Sequence, residues 1–335
     1  MATLSALSRS LGLHAAFLLL LWVLVFLSCT ASEKRAGDGS EPWHIVFVPA
    51  VEDPFYRAIG TGAADAAEAN GVAFEVTEYP ELWDARLQRE VLQSYDFSAA
   101  DAVLVGPVST VALHEELESI ARQGVAVITV DTYVGDGDYT EGPDDYALSY
   151  IGTDNWNGGK EVAERLAELV GKEGSVYVNT THSDVSSVSD RVDGFIAGMA
   201  EFPNMHVIAT DYNQDRQSVA YSQTLRRLRE YPEVRAIFAT NLFSSQGAYQ
   251  AVLETGLTGA VRIASWDSTE PIMDALKRGF VDLVLAQSPQ EIGLKAVELA
   301  VDHLEGRSVP RRVHVGARIL TLESLEGLDV EALTY

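Results

Sequence analysis

From Trp43 to about Leu304 the chain alternates short apolar runs with longer stretches of helical spacing. His44–Pro49 reads as a buried strand, and Pro54–Asn70, rich in Ala, predicts a helix that stops at Gly71. Val72–Glu78 alternates in strand fashion and Asp84–Ser94 has helical spacing. Ala102–Gly106 is a short apolar strand, Thr110–Gln123 a helix closed by Gly124, and Val125–Val130 the next strand. An acidic, Gly-rich break at 133–148 follows, and the alternation resumes with Tyr150–Thr153. Repeated strand–helix units imply parallel sheets with helices on both faces. The strands overfill a single sheet, which rarely exceeds about ten, so two sheets in two lobes are expected, with 133–148 as the natural boundary.

The apolar runs share an ending. His44–Pro49 leads to Asp53, Val125–Val130 to Asp131, Ala236–Thr240 to Asn241, Arg262–Trp266 to Asp267 and Leu283–Ala286 to Gln287. In an open α/β sheet, ligands sit outside the carboxyl ends of the strands, so polar side chains at several such ends converge on one crevice. Carboxylates accept strong hydrogen bonds from hydroxyl groups, and amides both donate and accept. The pattern therefore suits a hydroxyl-rich small molecule. Each residue also has a plainer reading. Asp53, followed by Pro54, is a helix N-cap whatever the function, and Asp131 and Asp267 fit capping or ion pairing. Phe55 and Tyr56 divide between core packing and stacking on the C–H face of a sugar ring. Arg191, near the start of a helix after strand Ser175–Thr180, can donate to ring and hydroxyl oxygens or pair with Asp190 or Asp193 at the surface.

Composition narrows the class. The formal net charge of the 335-residue chain is -25, which disfavours nucleic acid and suits a self-repelling protein in an aqueous compartment. Residues 1–28 carry Arg9 as their only formal charge and an apolar core, Leu11–Leu27, so a secretory signal is expected. Cys29, the single cysteine, excludes an internal disulfide. Its place behind Ser28 resembles a bacterial lipoprotein cleavage site, although Phe26-Leu27-Ser28-Cys29 lacks the usual Leu three residues before the cysteine. That resemblance implies cleavage before Cys29, lipid on its sulfur and a flexible tether at 29–42; an uncleaved anchor helix or ordinary signal cleavage are the alternatives.

Sharper motifs fail. Asp211–Asp215 has the opening spacing of a calcium loop, but Arg216 and Ser222 stand where Gly and Glu are required. Gly158-Gly159-Lys160 lacks the remaining glycine of a phosphate-binding loop, and the seven histidines show no zinc spacing. Neither a metal nor a cofactor is expected. No nucleophile elbow is present, so catalysis is not expected either.

With these residues in hand, the chain resembles the ribose-binding-protein group of periplasmic sugar-binding proteins over roughly Trp43 to Ile319. The resemblance rests on Asp53-Pro54-Phe55-Tyr56, Val127–Asp131, Gly152–Asn155 with Gly158-Gly159, Arg191 with Gly194-Phe195, Ala236–Asn241, Trp266-Asp267, and Gln287 with Glu291-Ile292-Gly293. It implies a type I periplasmic binding fold: α/β, two doubly wound parallel-sheet lobes joined by a three-segment hinge. The lobes would be 43–152 with 289–316 and 153–288 with 317–335. It further implies that Asp53, Phe55, Tyr56, Asp131, Arg191, Asn241, Asp267 and Gln287 contact a monosaccharide or polyol, with Thr132, Tyr212 and Asn213 as weaker candidates. Thr132 stands where ribose binders carry Arg, which counts against ribose itself. Leu242 replaces a frequent Asp, and which residue of Thr181–Ser187 enters the cleft is open. The implied protein is a monomeric, lipid-anchored, extracytoplasmic component of an ABC importer that meets a membrane permease and no nucleic acid. The alternative is a sensing partner of a sensor kinase or chemoreceptor; a cytosolic repressor of this fold or a hydrolase fits the residues less well.

Overall fold

The computed structural model describes residues 41–335; the leader, Cys29 and nearly all of the tether lie outside the described residues. In chain order the elements are β1 (His44–Val48), α1 (Pro54–Asn70), β2 (Ala73–Val76), α2 (Ala85–Ser94), β3 (Ala102–Val105), α3 (His114–Ala121), β4 (Ala126–Val130) and β5 (Ala147–Thr153). Then come α4 (Asn155–Leu169), β6 (Gly174–Thr180), α5 (Ser186–Met199), β7 (Met205–Tyr212), α6 (Gln217–Glu230), β8 (Val234–Ala239), α7 (Leu242–Glu254), β9 (Arg262–Trp266), α8 (Glu270–Lys277) and β10 (Leu283–Ala286). The chain finishes its regular structure with α9 (Pro289–Leu304), β11 (Arg312–Val315) and β12 (Arg318–Thr321).

Each lobe holds a six-stranded sheet, one in the order β11-β5-β4-β3-β1-β2 and the other β12-β10-β9-β8-β6-β7. Pairing is parallel throughout except between β10 and β12. Strands β1, β3 and β4 are buried from Ile45, Ala102 and Ala126 onward, as unbroken apolar runs covered on both faces must be. In the first lobe β1 lies between β2 and β3; in the second β6 lies between β7 and β8. Strand order reverses at both places, so each sheet has a switch point where its strand ends splay apart. The chain passes between sheets three times, after β5, after β10 and between β11 and β12.

Local chemistry sets the ends of α1. The Asp53 side chain accepts from the Tyr56 amide at 2.8 Å, Pro54 occupies the first turn, and Gly71 closes the helix in the left-handed conformation at φ 65. Helices α1 and α9 pack in direct backbone contact through Gly62 and Gly293, where a Cβ would collide with the carbonyl oxygens of Gln290 and Ile59. Helix α3 begins four residues later than its spacing predicts: the Thr110 carbonyl accepts from the Gly135 amide at 2.8 Å instead of from a helical amide, and the Thr110 amide bonds across the lobes to the Asp184 carbonyl at 3.0 Å. Segment 133–148 is not a boundary: it joins β4 to β5, neighbours in one sheet. It is packed, with Tyr139 fully buried and hydrogen-bonded to Thr129 at 2.8 Å, and Asp144 held by His114 at 2.8 Å. Its acidity marked it as a linker, yet its aromatic residues return it to the core.

Candidate functional site

The carboxyl ends of the two sheets enclose one cleft, lined by Asp53, Phe55, Tyr56, Trp83 and Asp131 from the first lobe. Thr181, Val185, Ser187, Val188, Arg191, Asp215, Asn241 and Asp267 come from the second, and Gln287 from the crossover after β10. The space between them is about 430 Å³, a figure that includes the open mouth. All eight residues singled out as principal contacts meet here, from eight places spread over more than 230 positions of the chain.

Several of them cap and line at once. While Asp53 caps α1, Asn241 caps α7 through Ser244 at 2.9 Å and donates from its amide nitrogen to Asp215 at 2.6 Å. Arg191 is buried and makes no surface pair. Its Nε donates to Asn155 at 2.8 Å, Nη1 to the Thr240 carbonyl at 2.8 Å, and its guanidinium lies 4.5 Å over the Trp266 ring. Nη2 is left to Gln287 at 3.4 Å and to Asp131 at 4.0 Å across the lobes. Gln287 in turn accepts from Thr153 and donates to Asp267, both at 2.6 Å, tying two of the crossover segments to the cleft. Position of the guanidinium depends on a close helix crossing: a Cβ at Gly159 would strike the Arg191 carbonyl oxygen.

The carboxylates are held under strain. Asp131, Asp215 and Asp267 adopt left-handed backbone conformations at φ 62, 56 and 74. Such conformations in non-Gly residues cost free energy and cluster at functional sites. Asp131 accepts from the Tyr56 hydroxyl at 2.8 Å through Oδ2, while Oδ1, buried in the cleft, has no hydrogen-bond partner. Burial pushes the Asp131 carboxyl up to about 6, against the pull of Arg191 and the Tyr56 hydroxyl. Asp215 likewise rises to about 6 through burial, opposed by its bond from Asn241, and Asp53 rises through burial and the nearby carboxylates. Four carboxylates thus face one guanidinium among the described cleft residues. A rim of acceptors short of donors suits neutral hydroxyl groups and repels anions.

The weaker candidates lie elsewhere. The Thr132 hydroxyl turns away to the Pro107 carbonyl at 2.7 Å. Asn213 is consumed within the second lobe by Asn179 and Ser244, each at 2.7 Å, because a buried amide must satisfy itself locally. Tyr212 is exposed and borders a separate depression with His182. Residues that sequence reasoning missed are Trp83, Asp215 and Val188, and the stretch Thr181–Ser187, left open by the sequence, supplies Thr181, Val185 and Ser187. Trp83 stacks at 6.5 Å on His182 of the other lobe and donates to the Val108 carbonyl at 2.8 Å. It follows β2, a half-exposed strand, and so lacked the apolar-run signal. Asp215 sat inside the failed calcium pattern. At Leu242, the backbone amide donates to Asp267 at 3.1 Å, a bond that needs no particular side chain.

The ribose import binding protein RbsB of Salmonella typhimurium is 24% identical over 296 residues, covering 88% of this chain and 95% of its own. The D-allose-binding periplasmic protein of Escherichia coli is 22% identical over 289 residues, covering 86% and 91%. A crystal structure of an ABC transporter solute binding protein from Agrobacterium vitis, bound with alpha-D-tagatopyranose, superimposes with a TM-score of 0.84 at 33% identity, covering 88% of this chain and 99% of that one. The periplasmic binding protein domain matches residues 45–308, and the chain belongs to that family.

Proposed function

We propose that this protein is the extracytoplasmic solute-binding component of an ABC importer, gripping a monosaccharide or related polyol between its lobes. One observation carries the reading: hydrogen-bonding side chains from both lobes, with Phe55, Tyr56 and Trp83, line a single cleft at the strand ends. Asp53, Asp131, Asp267, Asn241, Arg191 and Gln287 bind hydroxyl and ring oxygens, and the aromatic residues cover the ring faces. Only the closed form touches ligand from both sides, so ligand shifts the lobes toward closure, and the membrane permease reads that state. The protein binds and releases; it is not an enzyme. Relatives named for ribose and allose and a neighbour bound with tagatopyranose support aldoses and ketohexoses as the first candidates. With Thr132 turned away from the cleft, ribose is the weaker one. Cleavage before Cys29, lipid on its sulfur, a flexible tether and a monomeric state complete the proposal; the apolar leader and the polar stretch behind it support the anchor.

A thermal-shift screen over pentoses, hexoses, polyols, nucleosides and amino acids tests the reading, since a ligand that binds only the folded state raises its melting temperature. A response confined to amino acids or nucleosides would overturn it.

A further inference from the structure

Beyond β12 the chain runs along the second lobe, with Leu325, Leu328, Val330 and Leu333 packed on that lobe's core. The Leu333 carbonyl accepts from the Ser268 hydroxyl, next to Asp267. This anchoring delivers Tyr335 to the lobe boundary beside the cleft residues Phe55 and Asp267. Its hydroxyl donates to Asp267 Oδ1 at 2.8 Å, while its ring packs with the apolar residues of the first lobe, edge-on to Phe55 at 5.7 Å and 64°. One side chain rooted in the second lobe therefore touches a first-lobe cleft aromatic and a second-lobe cleft carboxylate.

We propose that Tyr335 is an interlobe latch and a positioning residue for the ligand cleft, holding Phe55 and Asp267 in their closed arrangement and slowing ligand release. The inference rests on the cleft being the ligand site. Asp267 has a strained backbone at φ 74, and such conformations persist only where surrounding bonds over-determine them. Its Oδ1 takes Tyr335 and Gln287 Nε2, at 2.8 and 2.6 Å, and its Oδ2 takes the Leu242 amide at 3.1 Å. Removing the phenol frees one of these three restraints on a carboxylate proposed to meet ligand. Opening the lobes breaks the edge contact with Phe55 and exposes the ring, so the latch opposes opening.

Tyr335→Phe and Tyr335→Leu separate its two parts. With a sugar found in the thermal-shift screen, Tyr335→Phe, which keeps the ring, weakens affinity by roughly tenfold, the low end of what a hydrogen bond to a charged group carries, because this bond reaches the ligand only through Asp267. Tyr335→Leu also speeds dissociation by about tenfold in stopped-flow fluorescence with the association rate unchanged, and without ligand it enlarges the radius of gyration in small-angle X-ray scattering. Wild-type affinity, dissociation rate and radius in both variants would overturn the latch, as would a fall in melting temperature with binding per folded molecule unaltered. Should wild type bind no sugar, the site reading falls, and the ligand-free scattering still decides the latch.

Discussion

Asp131→Asn should weaken binding and stabilise the empty protein at the same time. The substitution keeps the shape of a side chain only 4% exposed and keeps an oxygen for the Tyr56 hydroxyl, while removing the charge. Losing a charged acceptor for a ligand hydroxyl costs about 1.5–3 kcal/mol, or about 10- to 150-fold in affinity. For the empty protein the sign reverses. Asp131 titrates at about 6 in the fold against 3.8 for the free group, so folding favours its protonated form. That contribution is fully present below pH 3.8 and is lost as pH rises through about 6. At pH 8 the wild type carries an ionised, half-satisfied buried carboxylate at a cost on the order of 2–3 kcal/mol, which the amide avoids. Melting curves should therefore place Asp131→Asn a few degrees above wild type at pH 8, with the gap closing toward pH 4. Isothermal titration calorimetry on the same samples should show the loss of affinity. Equal melting temperatures at pH 8, or a gap independent of pH, would refute the argument that this carboxylate is held for ligand at the expense of stability.

Other outcomes follow from the same geometry. Sugar affinity of the wild type should fall as pH drops from 7 to 5, because Asp131 and Asp215, both near 6, lose acceptor capacity on protonation; calorimetry across that range checks it. Galacturonate and ribose 5-phosphate should give no thermal shift where the matching neutral sugar gives one, since four carboxylates face a single guanidinium. Gly159→Ala should cost about 1–3 kcal/mol in thermal or urea unfolding through overpacking, and weaken binding as well, because the new Cβ displaces the backbone of Arg191.

Much of the architecture was legible in one dimension because parallel sheets bury both faces and so write their strands as apolar runs. The polar residues ending those runs marked the cleft for a related reason: a chain leaving a buried strand at its carboxyl end must point into the crevice. Asp53, Asp131, Asn241, Asp267 and Gln287 were found this way, and each lines the cleft. Family resemblance supplied the pairing of lobes and the expectation that Arg191 faces the cleft, which spacing alone left between a surface ion pair and a ligand contact.

Other features depended on contacts between distant segments. Asn213 stood as a weaker candidate beside Asn241, and only contacts between distant segments show its amide consumed by Asn179 and Ser244 while Asn241 lines the cleft. Trp83 follows a half-exposed strand, and Tyr335 lies 68 residues beyond the carboxylate it bonds, so neither carried a periodic signal. Segment 133–148 looked like a linker by charge, and only the pairing of β4 with β5 keeps it within one lobe. Periodicity is a property of neighbours along the chain and determines elements and their buried faces. Which polar groups satisfy one another, and which remain free for a ligand, is settled only when the two lobes are brought together.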